Sequence, residues 1–251
     1  RMNRLLQGDV GAGKTLVALL AMLAAVEAGG QAALMAPTEI LARQHHAGLA
    51  PLADAAGVRL DILTGRDKGA ERAAKLAALA SGETAILVGT HALFQKDVAF
   101  RDLRLAIVDE QHRFGVRQRM DLGAKGAAAD ILVMTATPIP RSLALAQYGD
   151  MDVSVLDEKP AGRQPVETAL VSSARIGEVI ERLRAALGAG RQAYWVCPLV
   201  EESETADMTA AEERHRALTL ALGPGIGLVH GQLPAAAKDA AMADFVAGRT
   251  R

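Results

Sequence analysis

Residues 8 to 15 read Gly-Asp-Val-Gly-Ala-Gly-Lys-Thr, which fits G-x-x-x-x-G-K-[ST] with Gly8, Gly13, Lys14 and Thr15 in the fixed places. Glycines at this spacing let the chain curl so that the amides of Asp9, Val10, Gly11 and Ala12 turn inward toward phosphate oxygens. A helix starting at about Lys14 adds its positive end. In such a loop Lys14 reaches the β and γ phosphates and the Thr15 hydroxyl ligates Mg2+. A second group lies at 105 to 112, Leu-Ala-Ile-Val-Asp-Glu-Gln-His, an apolar run ending in paired carboxylates. Asp109 is suited to hold Mg2+ through water, and Glu110 to orient and deprotonate a water that attacks the γ phosphate. A loop protein that passes phosphate to a small substrate has no need of a carboxylate at 110, whereas one that activates water does. A third group is Met134-Thr135-Ala136-Thr137-Pro138. Its two hydroxyls could sense the γ phosphate or bridge to Gln111 and His112, and an ordinary turn begun by Thr-Pro fits them as well.

Such groups need a scaffold that brings distant segments to one edge. Short apolar runs alternating with helical patterns predict βα units and a doubly wound, mostly parallel α/β sheet, whose ligands bind beyond the carboxyl ends of the strands. Strands are expected at 4–7, 32–36, 59–63, 84–88, 105–109 and 130–135. Helices are expected at 14–27, 39–49, 69–79 and about 118–125, the first closed by a Gly29-Gly30 cap. Two prolines and a glycine at 159–165 break both kinds of element and predict a linker between a first domain, 1–158, and a second, 166–251. In the second domain we expect strands at 167–171, 193–199 and 226–230 and helices at 176–187 and 235–247. Glu201 to Glu213 is a polar acidic stretch, in which Glu201, Glu202 and Glu204 are expected to form a solvated loop. So few strands make a marginal core on their own. Tyr194 and Trp195 read as core aromatics of a strand, ahead of base-stacking groups.

Composition bounds the rest. The chain has 251 residues, half of them apolar, and 28 basic against 29 acidic side chains give a net charge of −1. That is the profile of a soluble globular protein, and it argues against a strongly basic nucleic-acid binder. One cysteine, Cys197, cannot form an internal disulfide or a multi-thiolate metal site, in keeping with a reducing cytoplasm. The histidines His45, His46, His215 and His230 lack partners at ligand spacing and read as structural or exposed. No apolar run is long enough to span a bilayer. The chain opens on Arg1, seven residues before the glycine-rich loop, and reads as a piece of a longer protein.

Taken together, the loop at 8–15, Ala-Pro-Thr-Glu-Ile-Leu-Ala-Arg-Gln-His at 36–45, Val-Gly-Thr-His-Ala-Leu-Phe-Gln at 88–95, Asp-Glu-Gln-His-Arg-Phe-Gly-Val at 109–116 and Thr-Ala-Thr-Pro-Ile-Pro-Arg at 135–141 resemble the superfamily 2 helicases. Within these the chain is similar to the RecG family, bacterial ATP-dependent DNA helicases that remodel branched DNA. Further matches are Gln-Ala-Tyr-Trp-Val-Cys-Pro-Leu-Val-Glu-Glu-Ser-Glu at 192–204 and Gly-Leu-Val-His-Gly-Gln-Leu at 227–233. The translocase of the bacterial transcription-repair coupling factor shares several segments. It typically has Asp-Glu-Glu-His where Asp109-Glu110-Gln111-His112 stands, and it lacks the Tyr-Trp-Val-Cys run.

The resemblance implies a RecA-like P-loop fold with a partial second lobe, ATP and Mg2+ as cofactors, and branched or duplex DNA as partner. It also implies a monomer in the bacterial cytoplasm, associated with the nucleoid. It places Lys14, Thr15 and Asp109 on nucleotide and metal, Glu110 on the water, and Gln111, His112, Thr135, Ala136 and Thr137 in coupling hydrolysis to motion. Pro37, Thr38, Arg43, Gly89, Thr90 and His91 match segments that lie along the nucleic-acid backbone, where hydroxyls and amides grip phosphate without reading bases. For Thr38 a helix N-cap is an equally good and compatible reading. The late arginine-bearing motifs of the family are not found in the sequence, so hydrolysis by this stretch alone is expected to be feeble. A module that binds ATP without turning it over stays as the alternative.

Overall fold

Gln31–Met35 is apolar after its first residue, and every position in it is buried on both faces. Alternate residues go to opposite sides: Ala32 and Leu34 join one apolar cluster with Leu6, Leu19, Met22 and Ile107, while Ala33 and Met35 join another with Leu63, Leu79, Leu87 and Leu93. A strand covered on both faces reads as a continuous apolar run, which marks the centre of a parallel sheet.

The computed structural model describes residues 2–110, 129–137, 151–158, 162–164, 166–197 and 204–251. They fall into two compact units, Arg1–Gln164 and Pro165–Arg251. The first holds β1 (Asn3–Gly8), α1 (Lys14–Glu27), β2 (Gln31–Met35), α2 (Glu39–Ala55), β3 (Leu60–Leu63), α3 (Gly69–Ser81), β4 (Ile86–Gly89), β5 (Leu103–Asp109), β6 (Asp130–Thr135) and β7 (Asp152–Leu156). All seven strands pair in parallel in the order β3-β4-β2-β5-β6-β1-β7. The expected doubly wound sheet is present, and its strands lie within two residues of the expected bounds. The helix expected at 118–125 lies outside the described residues.

Two features of this unit depart from expectation. Helix α2 continues six residues past 49, through Pro51, to Ala55. The proline removes only the bond to the Ala47 carbonyl, and Ala47 is exposed, so water can serve that carbonyl. Strand β7 was not anticipated. It is an edge strand whose Asp152 and Ser154 accept from the Arg4 guanidinium across the sheet, at 3.2 and 2.7 Å.

A buried glutamine ties the amino edge of the sheet together. Gln31 donates from its amide to the carbonyls of Leu79 and Thr84 at 2.8 and 2.7 Å, and its Oε1 accepts from the Asp102 amide at 3.0 Å. Gln31→Leu leaves three backbone groups without this partner in a site that is 3% exposed. We expect a loss of about 2 to 4 kcal/mol in urea unfolding. Beyond β3, Asp67 is subject to burial, which raises its pKa. The Lys75 ammonium and the Thr64 amide outweigh burial and hold the carboxyl below its ordinary range.

The second unit holds α4 (Ile176–Gly188), α5 (Glu204–Leu222) and α6 (Ala235–Val246). Here three expectations are corrected. The described parts of 167–171, 193–199 and 226–230 form no strand, and Leu170, Tyr194 and Val196 are exposed. β-Propensity expresses fit to a packed, paired surface, and these segments pair with no neighbour among the described residues. The acidic run is helical from Glu204 onward, since Ala, Glu, Arg and Leu dominate it, with Leu218 buried. Glu201 and Glu202 lie outside the described residues. Tyr194 is 70% exposed and lies against Phe245 with ring centroids 4.5 Å apart, and Trp195 lies under the Arg214 guanidinium at 5.5 Å. Tyr194 is therefore not a core residue.

Candidate functional site

The register of the sheet sets the site. Asp109 at the end of β5 faces Met134 of β6, Thr135 of β6 faces Gln7 of β1, and Gly8 follows. Groups separated by roughly a hundred residues in sequence thus form one row along the carboxyl edge of β5, β6 and β1. Beyond that edge of an open α/β sheet is where ligands bind.

At one end of the row the chain leaves β1 into the loop 9–13. Gly11 and Gly13 have φ of 85° and 93°, a region that side chains disfavour, and Gly13 is the residue from which α1 starts. Gly8 is held by packing as well: a Cβ there would stand 3.0 Å from the Leu156 Cβ of β7. The Lys14 ammonium donates to the carbonyls of Gly8 and Asp9 at 2.7 and 3.0 Å, so it arches back over the loop that its own helix follows. Thr15 is the second residue of α1. One contact went unforeseen: Arg163 reaches the Val10 carbonyl at 3.0 Å and the Asp9 carboxylate at 2.9 Å. These residues fit a nucleotide phosphate chain, because a curled backbone, a lysine and the start of a fourteen-residue helix converge on one point.

At the other end, the Asp109 carboxylate is nearly buried and lies 2.7 Å from Nε2 of His45 on α2. Glu110 has φ of 47°, the only non-glycine with positive φ among the described residues. Its amide donates to the Met134 carbonyl at 3.0 Å, and its Oε1 accepts from the Ala136 amide at 3.1 Å. Backbone in this region is costly for a Cβ-bearing residue and tends to mark functional positions. The Thr135 hydroxyl is buried, accepts from the Thr137 amide at 3.2 Å and pairs with the Thr137 hydroxyl at 3.0 Å. The threonines therefore form a hydroxyl-braced turn, while Ala136 between them holds the Glu110 carboxylate. Gln111 and His112 lie outside the described residues, as do Pro138 to Arg141.

The segments implied for the nucleic-acid backbone occupy the neighbouring half of the same edge, at the ends of β2 and β4. Pro37 follows β2, and Thr38 caps α2, accepting from the Leu41 amide at 3.3 Å. Arg43 donates twice to Glu39, at 3.0 and 2.8 Å, and Arg66 joins the same carboxylate at 2.8 Å. Gly89 admits no side chain, since a Cβ would come within 2.4 Å of the Leu63 carbonyl. Thr90 is buried and caps the 3-10 turn His91–Phe94, and His91 is exposed. No helix among the described residues is long and apolar enough to cross a membrane.

Residues 1–146 match the family DEAD/DEAH box helicase. The chain is 51% identical over 251 residues to the ATP-dependent DNA helicase RecG of Acidithiobacillus ferridurans, covering all of this chain and 37% of that protein. It is 50% identical over 253 residues to the ATP-dependent DNA helicase RecG of Escherichia coli strain K12, covering 98% of this chain and 36% of that protein. A solved structure of RecG bound to a three-way DNA junction superposes with a TM-score of 0.76 at 44% identity, over 99% of this chain and 32% of that one. The chain therefore spans somewhat more than a third of the length of the curated relatives it matches.

Proposed function

The chain belongs to the DEAD/DEAH box helicase family, whose fold binds ATP, and from that premise we propose that it is the motor segment of an ATP-dependent DNA helicase acting on branched DNA. The observation that carries the reading is the row at the carboxyl edge, in which Asp109 and Glu110 at the end of β5 and Thr135 of β6 stand beside β1, whose following loop leads to Lys14 at the start of α1. Identity near 50% along the whole chain to helicases named RecG supports the choice of branched DNA.

The loop amides and Lys14 hold the β and γ phosphates, whose charge draws the ammonium away from the Gly8 and Asp9 carbonyls. Thr15 and Asp109 would hold Mg2+, which would supply positive charge to the phosphates. Glu110 orients and deprotonates the attacking water, with its carboxylate anchored by the Ala136 amide. Thr135, Ala136 and Thr137, together with Gln111 and His112, pass the phosphate state onward to motion. Pro37, Thr38, Arg43, Gly89, Thr90 and His91 line the DNA backbone, with hydroxyls, amides and one guanidinium as the gripping groups. Such contacts tolerate the near-neutral net charge of the chain. The motor works as a monomer in the bacterial cytoplasm, where its DNA is.

The test is ATP turnover by the native protein with a three-way junction or a linear duplex of equal length as the stimulating DNA. The junction is expected to stimulate more strongly, by about tenfold at limiting DNA, the range of a modest coupling free energy. Equal stimulation by both would remove branched DNA from the reading. No stimulation by either would remove the helicase itself.

A further inference from the structure

The bond between His45 and Asp109 joins the two halves of the edge described above. His45 lies on α2, seven residues after Thr38 and two after Arg43, and Ala42, Leu49 and Ala53 anchor that helix in the core. The two side chains are 12% and 11% exposed, so little water reaches either. A carboxylate in that position needs a donor, and among the described residues His45 provides it. The last torsion of an aspartate is soft. A donor at 2.7 Å from Oδ2 fixes the carboxylate plane, and Oδ1 is not the atom that His45 holds.

We propose that His45 is a positioning residue that couples DNA occupancy of the α2 segment to the metal-binding carboxylate Asp109. The inference rests on the reading of Asp109 as the Mg2+ group and of Thr38 and Arg43 as DNA contacts. Thr38 to His45 covers roughly 10 Å along one continuous helix. A phosphate backbone that settles against the start of α2 therefore bears on the Asp109 carboxylate through a single hydrogen bond.

The test uses His45→Ala and His45→Gln in the native protein, since the glutamine amide nitrogen can stand where imidazole Nε2 stands. Two readouts are taken: the Mg2+ dependence of binding of a fluorescent ATP analogue, and the ratio of DNA-stimulated to unstimulated ATP turnover. We expect His45→Ala to raise the Mg2+ half-saturation and to cut the stimulation ratio, each by about tenfold, as loss of a group that orients a metal ligand does. His45→Gln is expected to restore both to within about threefold. The proposal is overturned if His45→Ala leaves both readouts within about twofold of the parent. It is equally overturned if His45→Gln recovers the unfolding midpoint but neither readout, because the readouts would then not depend on a donor to Asp109. Asp109→Asn separates the underlying reading: if that variant keeps the parental Mg2+ dependence, Asp109 is not the metal group and the coupling falls with it.

Discussion

Lys14→Ala should lower DNA-stimulated ATP turnover by about a hundredfold or more and weaken ATP binding with it. The size follows from what the ammonium does. It is the one cation that the loop 8–15 supplies, and the helix end and backbone amides around it offer partial charges only. Truncating one partner of a close, partly desolvated charge pair costs about 2 to 5 kcal/mol, and each 1.4 kcal/mol is about tenfold. The Lys14 bonds to the Gly8 and Asp9 carbonyls do not compensate: Asp9 is half-buried, so water can take the donor's place there, and Gly8, though buried, is held in β1 by the sheet. The fold should therefore survive the change, with the unfolding midpoint close to the parent's. Turnover within about threefold of the parent would mean that the loop does not hold the phosphates. A folded variant with normal binding and lost turnover would move Lys14 from binding to the transition state alone.

The parts of the site that could be read in advance are those whose chemistry is local. The loop is specified by glycines and a lysine within eight residues, and Gly11 and Gly13 do adopt the left-handed backbone that only glycine takes easily. Asp109 and Glu110 stand at the end of an apolar run, so the position of the pair on the sheet edge follows once the sheet is parallel. What was not legible depends on distance in sequence. His45 and Asp109 are separated by 64 positions, and neither spacing nor periodicity points from one to the other. The same holds for Arg163 against Asp9, and for the positive φ of Glu110, a backbone state with no local signature in a glutamate. Strand β7 escaped because Asp152 and Ser154 break its apolar pattern; their role is to accept from Arg4 on the neighbouring strand. In the second unit, β-rich segments at 193–197 and 226–230 carry the residue types of strands without joining a ladder. Propensity cannot supply the partner that a strand requires. The acidic run misled for the opposite reason: its charge suggested a loop, but Glu, Arg and Ala favour the helix that forms there.

Glu110→Gln should keep ATP binding within about threefold and reduce turnover by about a hundred- to ten-thousandfold, the range supplied by a positioned general base. The substitution is a clean one in this structure. Glutamine keeps an oxygen to accept from the Ala136 amide, and the main-chain bond from residue 110 to the Met134 carbonyl is untouched. Only the proton acceptor is lost. Glu110→Gly makes the complementary case, because residue 110 sits at φ of 47°, where a side chain costs about 1 to 2 kcal/mol. Glycine removes that strain along with the carboxylate. It should lose turnover as fully as the glutamine variant, and the difference between their unfolding midpoints sets the strain relieved against the bond to the Ala136 amide that glycine gives up. Pre-steady-state measurement of phosphate release with DNA saturating decides the chemical point. A glutamine variant that hydrolyses at the parental rate would take Glu110 out of the mechanism and leave its strained backbone and its bond to Ala136 as a purely mechanical link between β5 and β6. Loss of ATP binding in the glutamine variant would instead show that the carboxylate shapes the nucleotide site, with the Ala136 contact as the route. Retained binding with lost turnover assigns the water-activating role to Glu110 and explains why a protein would hold a glutamate in so unfavourable a conformation.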